Sequence, residues 1–190
     1  VQRLENWLPE KMNSGLFMFH KPGNDRLTSN WFIASEKNNY LLRRLYDELI
    51  KYWNTNVFNN LESKQVTTTE YWVKRLINGR SLELSQIWLN PLFIKLFKLY
   101  PYMIYHYMFY RLVKKDAKCQ SVYENMPKLS ADGPHKLQRF GLFNSPDDQI
   151  KQLINQKADP LYKLKWKINE ADINDNTLLN YLFTHNEQNA

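Results

Sequence analysis

Two short stretches gather the side chains best suited to chemistry. In "GLFMFHKPGNDRLTSNWFIAS" (15–35), Asp25 and Arg26 stand in a charged loop between two apolar runs, and Asn30 and Trp31 open the second run. A carboxylate such as Asp25 accepts sugar hydroxyls, a guanidinium such as Arg26 holds phosphate through paired hydrogen bonds, and the Asn30 amide both donates and accepts. The plain alternative is a solvated turn, although loops held between buried strands often line sites. In "MPKLSADGPHKLQRFG" (126–141), Ser130, Asp132, His135 and Lys136 gather around Pro127, Gly133 and Pro134. These donors suit a phosphate or a metal-bound phosphate, and a bland loop leading into a short helix explains the same residues.

Few other patterns compete. The chain lacks the glycine-rich nucleotide motifs, the HExxH and CxxC metal motifs and the GxSxG nucleophile motif. No two of His20, His106, His135 and His185 have the spacing of a local metal pair, so each has a plain reading as a hydrogen-bonded core or surface residue. The single cysteine, Cys119, excludes an intramolecular disulfide and a cysteine-based zinc cluster, and it fits a reducing, cytoplasmic setting.

Composition sets the frame. With 190 residues, 43% hydrophobic and 15% aromatic, the chain can build a packed core. A net charge of +7 points to an anionic partner, either phosphate or an acidic membrane surface. The opening "VQRLENWLPEK" is charged and amphipathic, unlike a signal peptide.

Periodicity places the elements. "LFMFH" (16–20) and "NWFIAS" (30–35) read as short buried strands. A helix from Asn39 carries Leu41, Leu42, Leu45, Tyr46, Leu49, Ile50 and Trp53 on one face. "TTTEYWVKRLING" (67–79) reads as a helix with a threonine cap and Gly79 after its last turn. The apolar stretch 88–115 has an uncharged run of 12 residues, Leu99–Tyr110, short of the roughly 20 a spanning helix needs. Pro101 divides or kinks it. Core packing, or an aromatic face resting at a membrane interface, explains this stretch better than nucleic-acid binding, because its basic residues collect only at the end, in "RLVKK". Further on, "NSPDDQIKQLINQ" (144–156) offers a Ser145-capped helix with Pro146 at its first position. Leu161, Leu164, Trp166 and Ile168 suggest a strand, and Asp175 caps a last helix. The sum is one mostly helical α/β domain over residues 1–190.

Four segments in series resemble the bacterial capsular polysaccharide synthesis proteins, sugar-transferring enzymes of the GT-A type. They are "NDRLTSNWFIASEKNNYLLRRLYDELIKYW" (24–53), "YPYMIYHYMFYRLVKKD" (100–116), "YENMPKLSADGPHKLQ" (123–138) and "PLYKLKWKINEADINDNTLLNYLF" (160–183). The resemblance implies the C-terminal part of a GT-A-like fold with few short strands. It also implies transfer of a sugar from a nucleotide-sugar donor to a glycan or lipid-linked acceptor, at the inner face of the bacterial plasma membrane. Asp25 and Asn30 would be catalytic, and Arg26, Trp31, His135, Lys136 and Lys163 would bind substrate. A divalent metal, Mn²⁺ or Mg²⁺, would neutralise the leaving diphosphate, with His135 its only ligand from this chain. The Asp-x-Asp motif and the Gly-Gly-x-Trp stretch of such enzymes are absent, and the resemblance puts them shortly before Val1, so the chain alone is expected to be inactive. Tyr162 stands where the family pattern has His. Membrane contact is expected and nucleic acid is not. The competing reading is a non-catalytic, basic and aromatic helical module that docks on a membrane or a protein.

Overall fold

In the computed structural model, residues 2–59, 66–165, 168, 171 and 173–187 are described, with side chains as far as Thr184. These residues are mostly helical, with one two-stranded antiparallel sheet. The chain forms two compact units, residues 9–130 and residues 1–8 with 131–190. Helix α1 (Leu4–Lys11) crosses that boundary at Pro9.

Unit 9–130 opens with the hairpin of β1 (Leu16–Gly23) and β2 (Arg26–Ser35), closed by Asn24 and Asp25 alone. Both strands run longer than the apolar runs suggest, because two bulges break the alternation. Between the pairs Met18–Ile33 and His20–Thr28, residues 29–32 of β2 lie opposite Phe19 alone. Between His20–Thr28 and Gly23–Arg26 the extra residue is on β1, where Lys21 takes φ 52°. Leu16, Phe17, Met18 and Phe19 are fully buried. The second run is not a buried strand: Asn30, Ile33 and Ser35 are exposed, and Trp31, Phe32 and Ala34 are half-buried.

Helix α2 (Tyr40–Thr55) starts where the sequence suggests, with Asn39 Oδ1 accepting from the Leu42 N–H. Its buried stripe is narrower than its apolar face. Leu41, Leu45 and Tyr52 are buried, whereas Tyr46, Ile50 and Trp53 are exposed. Helix α3 (Thr68–Ile77) is capped by Thr67, and Gly79 beyond its end takes φ 74°. A short helix α4 (Leu82–Ser85) runs into a 3-10 turn, Gln86–Leu89, and then α5 (Pro91–Phe97) begins on the Asn90 cap. Pro101 lies in the break between α5 and α6 (Ile104–Lys115), so the long apolar stretch is two helices.

Eight of the twelve residues of α6 are buried, which explains its apolar character on every side. It packs against α2, β2 and α7 (Ala117–Asn125) at the centre of this unit. Leu16, Met18, Leu41, Leu45, Trp88, Tyr107, Phe109 and Met126 belong to one cluster there. The aromatic run at 104–110 is therefore core, and it cannot be a membrane-facing surface. No described helix is long and apolar enough to cross a membrane.

Unit 1–8 with 131–190 holds α8 (Asp132–Phe140), α9 (Asp148–Asn155) and α10 (Leu178–Glu187) around Leu137, Leu142, Ile154, Tyr162, Leu178 and Leu179. The cap of α9 is Asp147, whose Oδ1 accepts from the Ile150 N–H at 2.8 Å, so Ser145 and Pro146 lie outside the helix. Thr177 rather than Asp175 caps α10, accepting from the Asn180 N–H. Residues 161–165 form no strand, and the expected strand residue Trp166 lies outside the described residues. The side chain of His185 lies outside them as well.

Candidate functional site

Asp25 is only 2% exposed, although it sits in a two-residue turn. Three donors converge on it. Tyr107 O–H donates to Oδ2 at 2.8 Å, the Gly79 N–H to the same oxygen at 2.9 Å, and Arg26 Nε to Oδ1 at 3.2 Å. The turn, the end of α3 and the middle of α6 are thus tied to one carboxylate. Burial, reinforced by that carboxylate, pushes the Tyr107 phenol well above its ordinary range. Asp25 is not a solvated turn residue, since both its carboxylate oxygens accept from the protein.

The ion-pair partner of Asp25 is Arg26. The guanidinium is half-buried, with Nη1 3.9 Å from Met103 Sδ, and it lies over Gly23, where an added Cβ would come within 2.4 Å of Nη2. Gly23 is therefore a close-approach position. Behind Arg26 stands His106, buried, with its ring bonded to the Thr28 backbone. Burial, with the Arg26 charge adding to it, lowers His106 to about 4 and outweighs the opposing pull of Asp25. His106 is accordingly neutral at neutral pH.

The bulge at 29–32 sets the remaining residues of this loop. The Asn30 amide is exposed, and the Trp31 indole is stacked on Phe19 with centroids 5.1 Å apart and planes 10° apart. One strand position further inward, His20 Nδ1 shares a 3.2 Å hydrogen bond with Tyr123 O–H, and the His20 N–H donates to the Leu129 carbonyl at 2.7 Å. Lys128 lies over the Tyr123 ring and donates to the Tyr123 and Met126 carbonyls at the end of α7. Burial chiefly, then the Lys128 and Lys21 charges, lowers His20 below its ordinary value.

The second candidate stretch forms the start of α8. Ala131 precedes it without a side-chain cap, and Pro134 falls in the first turn, where its missing N–H costs nothing. His135 Nδ1 lies 2.6 Å from the Ala131 carbonyl, the polarity of a ring N–H donor. Lys136 Nζ forms a 2.9 Å ion pair with Asp159 Oδ2. Gly133 makes room for that same carboxylate, because an added Cβ would come within 1.9 Å of Asp159 Oδ1. The Lys163 N–H donates to the Pro134 carbonyl at 2.8 Å, so the backbone at 163 is fastened to α8. His135, Lys136 and Lys163 are thus brought together in one unit, while Asp25, Arg26, Asn30 and Trp31 belong to the other. Tyr162 is core: its O–H donates to the Leu153 carbonyl at 3.4 Å, and burial raises its pKa.

Sequence reasoning missed Gly79, Tyr107 and Asp159. Gly79 carried a signal, but only as a helix terminator. Tyr107 was one tyrosine among several on an apolar helix, and nothing in the spacing joins Asp159 to Lys136. As for a metal, no group of three His, Cys, Asp or Glu side chains among the described residues converges as a ligand set. His135 donates from Nδ1 to a backbone carbonyl, which leaves its Nε2 as the ring's acceptor atom.

No curated protein and no solved structure gives a significant match. The family model described as capsular polysaccharide synthesis protein matches residues 60–182, more than half of the chain. Of the resembling segments, 100–116 and 123–138 fall inside that match, 160–183 ends one residue past it, and 24–53 precedes it. A match of that extent, covering α3 through α9 in order, means that the chain belongs to the capsular polysaccharide synthesis protein family.

Proposed function

We propose that this chain takes part in glycosyl transfer from a nucleotide-sugar to a glycan or lipid-linked acceptor, as part of a GT-A-type enzyme of capsular polysaccharide synthesis. The family match over residues 60–182 carries the reading. The chemistry of the two clusters supports it. A glycosyl transfer leaves a nucleoside diphosphate whose developing charge must be met by fixed donors. Lys136 and Lys163 supply two cations in one unit, and His135 adds an imidazole whose ring orientation is set by the Ala131 carbonyl. Phosphate oxygens would compete with Asp159 for Lys136, an exchange of one anion for another at an exposed ammonium.

In the other unit the Asn30 amide is free in orientation to donate to and accept from sugar hydroxyls. Trp31 offers an indole face of the kind sugars pack against, and Arg26 is a phosphate-binding group held by Asp25. Asp25 works through Arg26 and the turn, as a positioning residue.

Calorimetric titration with a panel of uridine-, guanosine- and cytidine-diphosphate sugars tests the reading. One donor class should bind, and Lys136→Ala and Lys163→Ala should each weaken it by about tenfold, the value of one charge-assisted hydrogen bond. The titrations are run with and without Mn²⁺. Binding by no member of the panel under either condition overturns the proposal.

A further inference from the structure

Outside both clusters, one surface carries large apolar side chains that nothing covers among the described residues. Helix α5 buries Ile94 but turns Leu92 and Leu96 outward, 77% and 76% exposed, one helical turn apart. Helix α3 buries Glu70 and Ile77 and leaves Tyr71, Trp72 and Leu76 about half exposed. The two helices are linked through Trp88. Asn78, at the end of α3, accepts from Trp88 Nε1 at 2.9 Å, and the Trp88 ring lies 5.4 Å from Phe93 in α5. An isolated exposed leucine needs no explanation, but aromatic and aliphatic groups exposed together on two helices linked through one tryptophan do.

The charge on this surface has one sign. Between Val66 and Tyr102 the chain has five cations and two carboxylates. Glu70 is buried against Lys74, and Glu83 accepts from Tyr110 O–H at 2.7 Å. Arg75, Arg80, Lys95 and Lys98 have no carboxylate partner among the described residues, and Lys95 lies directly between the two exposed leucines. Arg75 instead sits 6.0 Å over the Trp72 ring. Leucine, tryptophan and tyrosine that reach the acyl boundary, ringed by lysine and arginine at headgroup level, form the pattern of an interfacial membrane surface.

We infer that the α3–α5 surface docks on an anionic phospholipid bilayer, with Trp72, Leu92 and Leu96 entering the interface and Arg75, Lys95 and Lys98 meeting the lipid phosphates. The charge complementarity selects lipid over a second copy of the chain, whose identical basic surface would repel it. This inference goes beyond glycosyl transfer and does not rest on it. The partner is a lipid surface, recognised by apolar depth and negative charge together.

Co-sedimentation of the whole chain with phosphatidylglycerol–phosphatidylcholine vesicles, and with phosphatidylcholine alone, provides the test. Binding is expected on the anionic vesicles only, falling as salt rises. Leu92→Ser and Leu96→Ser should each lower the partition coefficient by about tenfold, since each removes one partly buried aliphatic side chain. Both positions are exposed, so the thermal unfolding midpoint should not move. In a separate variant, Arg75→Gln with Lys95→Gln, the salt dependence should flatten. The inference is overturned by equal binding to neutral vesicles, by variants that bind as well as the parent, or by no vesicle binding at all. Self-association abolished by Leu92→Ser would also overturn it, in favour of a second copy. No nucleotide-sugar is present, so failure here is distinct from failure of the transferase proposal.

Discussion

Asp25 shows how much a single side chain can mean once its partners are known. The sequence puts it in a charged turn, where an aspartate is usually solvated. The structure instead buries it and gives it the Tyr107 hydroxyl, the Gly79 N–H and Arg26. No local pattern could reveal this, because its partners lie 54 and 82 residues away. Removing the carboxylate would leave the buried Tyr107 phenol and the Gly79 N–H without their acceptor and Arg26 without its counter-charge. Asp25→Ala should therefore cost about 3 kcal/mol of stability, measured by urea unfolding. Asp25→Asn keeps one acceptor and should cost less than Asp25→Ala. Equal stability of Asp25→Ala and the parent would show that these contacts do not hold the turn. Gly133 was the opposite case. The sequence puts it in a loop, whereas it is the second residue of α8, with the Asp159 carboxylate lying against its α-carbon.

Among the elements, those with unambiguous punctuation were readable. Asn39 and Thr67 cap α2 and α3, and the break near Pro101 separates α5 from α6. Errors arose where several residues competed for one role. "NSPDD" offers Asn144, Ser145, Asp147 and Asp148 within one turn, and only backbone geometry decides that Asp147 makes the cap. The hairpin defeated an alternation rule because two bulges shift its register. Asp116 is a cap that tests the value of such punctuation. Its Oδ1 accepts from the Lys118 and Cys119 N–H groups, while Oδ2 accepts from Tyr40 O–H at 3.0 Å and faces Arg44. It therefore starts α7 and ties that helix to α2. Asp116→Ala should lower the urea midpoint, since two N–H groups at the start of α7 lose their acceptor. Asp116→Asn should recover most of the loss. A midpoint unchanged in Asp116→Ala would assign the start of α7 to packing alone.

At the scale of the whole molecule, the helical α/β character and the central place of the 104–113 helix follow from apolar density, which periodicity measures well. The division into two compact units does not, since no linker composition marks residue 130. The family was legible through segments that the match then covered in large part, whereas the positions of the candidate residues depended on long-range contacts. Global stability should nevertheless carry the mark of one core residue. His106 has an ordinary pKa of 6.5 and is lowered to about 4, mainly by burial, with Arg26 adding to the shift and Asp25 opposing it. Below pH 6.5 the unfolded chain takes up a proton that the folded chain refuses. The unfolded state then binds more protons, so stability rises with pH in this window and is complete above about 6.5. Between pH 7 and pH 5 the loss from this group should be about 2 kcal/mol. His20, lowered in the same direction, adds to it. Asp116 and Glu83, whose pKa values are lowered from 3.8 and 4.5, lose their contributions at lower pH, which separates the two effects. Urea unfolding of the parent and of His106→Gln at both pH values reads the difference. The parent should weaken at pH 5 by clearly more than the variant, and parallel pH profiles would mean that His106 is not the neutral core residue its burial implies.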